Sequence, residues 1–179
     1  REIIMDKFGY ITQTMTRDFK AFDVERAFAY NSSFDEKVFN FNCDWFKCIN
    51  PFDTVPVSDI RGFVHHFMID ENFFKWAEEH GAFTESGNYS TTAETITQYI
   101  KKNPDFSEDH TALSDTLIET EILFYCLDKG ADINGDYTAR RSIPRKIKKI
   151  FTIDTKQGKF TVEGESATYY KAKNTFKIR

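Results

Sequence analysis

Thr111-Ala112-Leu113-Ser114-Asp115-Thr116-Leu117-Ile118-Glu119-Thr120-Glu121-Ile122-Leu123-Phe124-Tyr125-Cys126-Leu127-Asp128-Lys129 separates two parts of this chain that differ in character. Leu113, Leu117, Ile118 and Ile122 recur at the spacing of one helical face, and Ile122 to Leu127 is apolar nearly all round. A helix apolar around its circumference belongs inside a core, so residues 111–129 are predicted as the longest and most central helix. Lys129-Gly130 closes it, since glycine enters the left-handed C-cap conformation without a Cβ penalty.

Upstream, the pattern is mainly helical. Residues 13–30 set Met15, Phe19, Phe22 and Ala29 opposite Asp18, Asp23 and Glu25, predicting a helix that Asn31-Ser32-Ser33 stops. Val38 to Cys43 alternates, with Phe39, Phe41 and Cys43 against Asn40 and Asn42, which predicts a half-buried strand. Beyond the Asn50-Pro51 and Val55-Pro56 loop, Ser58 opens a helix with Ile60, Phe63, Val64, Phe67 and Met68 on one face. Asp70 starts another that ends at His80-Gly81, and Thr91 with Glu94 has capping-box spacing for a third before Asn103-Pro104. Of 19 phenylalanines, 14 lie within the first 83 residues. Each stabilises by about 1.5–3 kcal/mol when buried, so this half is expected to supply most of the core.

Downstream, helical periodicity gives way to short alternating runs. Lys148–Asp154, Lys159–Glu163, Ala167–Lys173 and Thr175–Ile178 read as strands joined by turns at Thr155-Lys156-Gln157-Gly158 and Glu163-Gly164-Glu165. The expected fold is therefore α+β: a mainly helical body (1–135) and a small C-terminal antiparallel β-meander (136–179), packed together as one domain.

Charge is split at the same place. Residues 136–179 hold 12 Lys/Arg against 4 Asp/Glu, leaving residues 1–135 with −12 of the whole-chain −4. The ten residues Arg140 to Lys149 hold six cations and no anion: Arg140, Arg141, Arg145, Lys146, Lys148 and Lys149. Like charges crowd together at a cost, so such a segment points to a docked opposite charge: a nucleic acid, a membrane surface, an acidic protein or the protein's own acidic half. Of these, a nucleic acid or an acidic protein is the expected partner. Several guanidinium and ammonium groups can neutralise several phosphates and release their counterions. Tyr169 and Tyr170 add a stacking surface for bases, although neighbours on a strand face opposite ways and only one serves a given platform.

Composition excludes several classes. At 179 residues, 40% hydrophobic and a mean hydropathy of −0.53, the chain fits one globular domain and carries no run of about 20 apolar residues for a membrane span. Cys43, Cys48 and Cys126 are too few for a disulfide framework, and with no secretory signal they indicate an intracellular chain, cytoplasmic or nuclear. The first residue is Arg1, so the chain is read as processed or cut from a longer one. Eight dispersed glycines form no phosphate loop, and no cofactor or metal is expected.

Three enzymatic or metal patterns compete with a binding module. Asp154-Thr155-Lys156 resembles the Asp-x-Lys element of PD-(D/E)xK nucleases, where carboxylates hold a divalent cation and lysine positions water. Asp136 and Glu121, or their neighbours Asp132 and Glu119, would supply the further carboxylates, while Lys156 also lies in a turn where a solvated lysine is ordinary. Arg61 and His66 have the Arg-x4-His spacing of HEPN-type ribonucleases. Cys43 and Cys48 with His65 and His66 are four nominal zinc ligands, but adjacent histidines rarely share an ion. The expected function is a non-catalytic intracellular module that contacts nucleic acid through its basic C-terminal surface. A regulatory or inhibitory protein–protein interaction and the metal-dependent nuclease are the alternatives.

Overall fold

Six helices and a two-stranded parallel sheet make up the body of the computed structural model. It describes the backbone of residues 2–140, 142–145, 149–155, 158–164, 167–170 and 175–178, and the surroundings of side chains within 7–140, 142–145 and 159. Helix α1 (Glu2–Ala21) leads into β1 (Ala27–Ala29), and α2 (Ser32–Phe46) follows directly. A 3-10 turn (Pro51–Asp53) precedes β2 (Val57–Asp59), from which α3 (Ile60–Phe67) starts without a break. Then come α4 (Glu71–His80), α5 (Ala93–Lys101) and α6 (Ala112–Asp128).

Short polar side chains set the helix starts. The carboxylates of Asp59 and Asp70 accept the backbone N–H of Arg61 and Phe73, and the Thr92 and Thr111 hydroxyls accept those of Thr95 and Ser114. Each satisfies a donor that the helix itself leaves open, worth about 1 kcal/mol. Two caps thus sit one residue beyond the sequence expectation: Ser58 belongs to β2, and Thr92 rather than Thr91 caps α5. Gly81 (φ 68°) ends α4 as expected.

The core joins α3 and α6. Phe63, Val64, Phe73, Ala77, Ile96, Ile122 and Cys126 are its most deeply buried members among the described residues. Phe73 alone meets the rings of Trp76, Tyr89 and Tyr99 at 5.3–6.5 Å, so Phe73→Ala would cost about 3–5 kcal/mol. Among the described residues the N-terminal half supplies most of the buried apolar side chains, Cys43, Val55, Ile60 and Met68 besides those named, although Phe22, Phe34 and Phe41 are exposed. Helix α6 is not buried all round, since Ile118, Ile122 and Cys126 face inward while Leu113, Leu117 and Phe124 face solvent.

Two local expectations also fail. The helix expected over 13–30 ends at Ala21, where Asp23 turns left-handed (φ 51°) and the chain extends into β1. The strand expected over Val38–Cys43 is part of α2. Six residues of alternation fit helical spacing as well, because Phe39 and Cys43 are also four apart and share the buried side.

The C-terminal β-meander of the expected α+β fold is overturned as well. Strands β3 (Lys149–Thr155) and β4 (Gly158–Gly164) pair antiparallel, and β5 (Ala167–Tyr170) and β6 (Thr175–Ile178) form a separate antiparallel pair. Among the described residues no ladder joins β4 to β5. Gly164, expected at a turn centre, is instead the last rung of β4, opposite Lys149. The chain is mostly helical, with a parallel pair inside the body.

Candidate nucleic-acid interface

Parallel pairing of β1 with β2 aligns Ala27 with Val57, Phe28 with Ser58 and Ala29 with Asp59. Both strands therefore deliver a helix at the same edge of the sheet, and the starts of α2 and α3 lie side by side. Asp59 ties them: its Oδ1 accepts the backbone N–H of Asn31 and of Arg61, each at 2.9 Å. Glu119 of α6 accepts the Tyr30 N–H at 3.1 Å, and the buried Tyr30 hydroxyl donates to the Thr91 carbonyl at 2.7 Å. Burial pushes the Tyr30 hydroxyl well above its ordinary pKa and raises the Glu119 carboxyl too. Crevices beyond the carboxyl ends of parallel strands are where open α/β sheets bind ligands, and this pair builds one in miniature.

The opposite wall is the segment 135–140. Its approach to α3 depends on Gly62, where a Cβ would overlap the Tyr137 carbonyl oxygen. The Tyr137 ring then packs on Phe63, His66 and Phe67 at 4.7–5.2 Å. Farther along, the Arg140 N–H donates to His65 Nδ1 at 2.8 Å, and the other ring nitrogen lies 3.2 Å from the Thr91 hydroxyl. An accepting Nδ1 leaves the proton on Nε2, so the ring is neutral. Burial, then the Arg61 and Arg140 guanidinium groups and His66, push its pKa down to about 4.

Between these walls lies a cleft of about 460 Å³. Arg26, Arg61 and Arg140 line it, with the serines Ser32, Ser33 and Ser58. Arg26 donates to the Ser58 hydroxyl at 2.6 Å, which fixes one guanidinium against β2. Asp59 and Asp136 are the acidic members of the lining, the first engaged by two amides and the second exposed. A second cleft of about 390 Å³, with a more apolar lining, shares Asn31 and Arg61 and reaches Ser142 of the basic segment. Three guanidinium groups at a helix start form an anion-binding arrangement.

The six cations of that segment are not equivalent. Arg140 is exposed at the cleft. Arg145 is engaged internally: its Nε donates to Glu78 Oε1 at 2.7 Å, its second nitrogen reaches Glu78 Oε2, and its guanidinium sits 4.1 Å from the Phe83 ring centre. Tyr89 also donates to Glu78, and these bonds hold the Glu78 carboxyl below its usual range. Lys149 begins β3, Tyr169 and Tyr170 lie on β5 opposite Phe176 and Thr175, and Arg141, Lys146 and Lys148 lie outside the described residues.

Of the nuclease candidates, Asp154 is on β3 opposite Lys159, and Lys156 lies outside the described residues. Glu121 pairs with Lys101 at 2.9 Å, and Asp136 is exposed at the cleft. Among the described residues the three metal-capable groups that gather within 4.8 Å are others, Glu108, His110 and Asp115. Burial, then Glu94 and Asp115, push the Glu108 carboxyl up. The nominal zinc set does not assemble in that way either: Cys43 and Cys48 are free thiols facing backbone carbonyls, and burial holds Cys43 up at about 11. His66 is turned back onto its own helix, bonding the Gly62 carbonyl at 3.0 Å.

Sequence reading missed Arg26, Ser32 and Ser33 as site residues. Asn31-Ser32-Ser33 was legible as a break, but it begins a helix rather than ending one. Comparison of the chain with protein-family models, curated proteins and solved structures finds no match.

Proposed function

We propose that this protein is a non-catalytic intracellular module that binds nucleic acid through its phosphates, using the basic segment from Arg140 to Lys149 and the cleft from which it emerges. The observation that carries this reading is the cleft shared by Arg26, Arg61 and Arg140, which extends the sequence-local cations with two from elsewhere in the fold. Phosphate contacts of this kind position a nucleic acid without reading its bases, so affinity without strong sequence preference is expected. No helix among the described residues is long and apolar enough to cross a membrane. Three free cysteines support a reducing compartment. The test is binding of labelled DNA and RNA at two salt concentrations, with Arg140→Glu/Lys148→Glu/Lys149→Glu as the variant. Binding lost in that variant supports the reading, and binding unaffected by both salt and variant rejects it.

A second reading, a regulatory contact with another protein, is favoured by one observation. Phe34, Val38, Phe41 and Trp45 form an exposed apolar stripe at i, i+4, i+7, i+11 along α2. Contiguous exposed apolar surface of this kind marks interaction faces. A stable complex whose formation Phe41→Glu abolishes, without any effect on nucleic-acid binding, would establish it.

A further inference from the structure

The start of α2 is built differently from the other described helix starts. Asn31 stands in the left-handed region (φ 62°) and its side chain makes no capping hydrogen bond, whereas α3, α4, α5 and α6 are all side-chain capped. The Asn31 N–H is already taken by Asp59. The Phe34 N–H bonds the Asn31 carbonyl at 2.9 Å, which leaves the amides of Ser32 and Ser33, with the positive end of the dipole of this 15-residue helix, at the cleft.

Ser32 gives independent support. It is only 6% exposed and lines the cleft, yet its hydroxyl makes no hydrogen bond among the described residues. Its Oγ is not sealed from solvent, so the hydroxyl is the open part of an otherwise buried residue and can be reached by an acceptor that arrives in the cleft. Ser33 stands next to it on the same lining, and Arg26, held against Ser58, Arg61 and Arg140 surround the same space.

We propose that this cleft is a binding site for a phosphate monoester, with the Ser32 and Ser33 hydroxyls, the α2 amides and the three arginines as its donors. A monoester has three terminal oxygens and about −1.5 to −2 charge at neutral pH, and so can accept from donors converging on several sides. An internal diester offers two oxygens and a single charge. Asp59 and Asp136 reduce the positive field without cancelling it, since three guanidinium groups and the helix end outweigh two carboxylates, one of them exposed. The cleft volume of about 460 Å³ admits a phosphate with an attached sugar or nucleoside. In assigning the phosphate to the end of a nucleic-acid strand this inference rests on the reading above; the site itself does not.

The test uses the full chain with four probes: a labelled oligonucleotide with a 5′-phosphate, the same strand with a 5′-hydroxyl, a nucleoside monophosphate and inorganic phosphate. Ser33→Asp is the diagnostic variant, because a carboxylate at a helix start favours folding while it repels an incoming anion. A thermal melt of that variant verifies that it folds. The 5′-phosphorylated strand is expected to bind about tenfold more tightly than the hydroxyl strand, with the preference lost in Ser33→Asp and Ser32→Ala. Equal binding of the two strands by the wild type overturns the monoester site while leaving the nucleic-acid reading standing. If neither strand binds but the mononucleotide or inorganic phosphate raises the melting temperature, and Ser33→Asp abolishes that rise, the site stands and the nucleic-acid reading falls. No effect from any of the four probes overturns both.

Discussion

His65 Nδ1 accepts the backbone N–H of Arg140 across 75 residues of sequence, at 2.8 Å. This bond ties the first residue of the basic segment to α3, and it requires an unprotonated ring. Folding lowers the His65 pKa from 6.5 to about 4, mainly by burial. The unfolded chain therefore takes up a proton at a pH where the folded chain does not. Stability from this group is complete above about pH 6.5 and is lost as pH falls towards 4, by about 3 kcal/mol in full. Urea unfolding near pH 7 and near pH 4.5 measures it. His65→Gln, which keeps an acceptor and a donor, is expected to show a smaller loss than wild type; equal losses would contradict the assignment.

Gly62→Ala tests the seating of the cleft wall. Alanine ordinarily favours a helix over glycine by about 1 kcal/mol. Here the new Cβ would overlap the Tyr137 carbonyl oxygen and stand 2.7 Å from its carbon, and backbone cannot swing aside as a long side chain would. Overpacking is the larger effect, so a net loss of about 2 kcal/mol is expected in urea midpoints, with Tyr137 lifted from Phe63 and Phe67. An unchanged or higher midpoint would mean that segment 135–140 adjusts freely.

The Arg145–Glu78 pair separates structural from binding cations. Arg145→Met is expected to leave the slope of log affinity against log salt nearly unchanged, because its charge is already matched. Arg140→Met or Arg141→Met is expected to lower that slope by about one phosphate equivalent each. Equal effects of all three would contradict this division.

Glu108 carries a prediction of the opposite pH sign. Its carboxyl is raised by burial and by Glu94 and Asp115, so it weighs against the fold once ionised, and stability is lost as pH rises through its folded pKa. Glu108→Gln is expected to raise the melting temperature near pH 8 by about 2–4 °C and to lose that gain in acid. A lower melting temperature at pH 8 would show that the charged carboxylate is used by a partner.

Much of the body was legible in the sequence. The apolar spacing of Ile60 to Met68, Asp70 with Gly81, and the run after Thr111 each combine a long period with local capping chemistry, and all appear as helices. The three-residue strands β1 and β2 were not, since three residues are too few for alternation to register, and their pairing joins positions 30 apart. The same is true of the cleft. Arg140 stood out within a dense basic run, whereas Arg26 and Arg61 reach it only through the β1–β2 register. The one local clue was the Asn31-Ser32-Ser33 triplet, whose residues serve helix ends and starts equally well.

The most direct test of the central claim is fluorescence anisotropy of labelled single- and double-stranded DNA and RNA against the full chain at about 50 and 200 mM salt. Five cations of the basic segment remain once Arg145 is set aside, and if they contact phosphates, affinity is expected to fall about a hundredfold or more between the two conditions. It is also expected to be lost in Arg140→Glu/Lys148→Glu/Lys149→Glu. Absence of binding at the lower salt would contradict the claim and turn attention to the exposed stripe of α2.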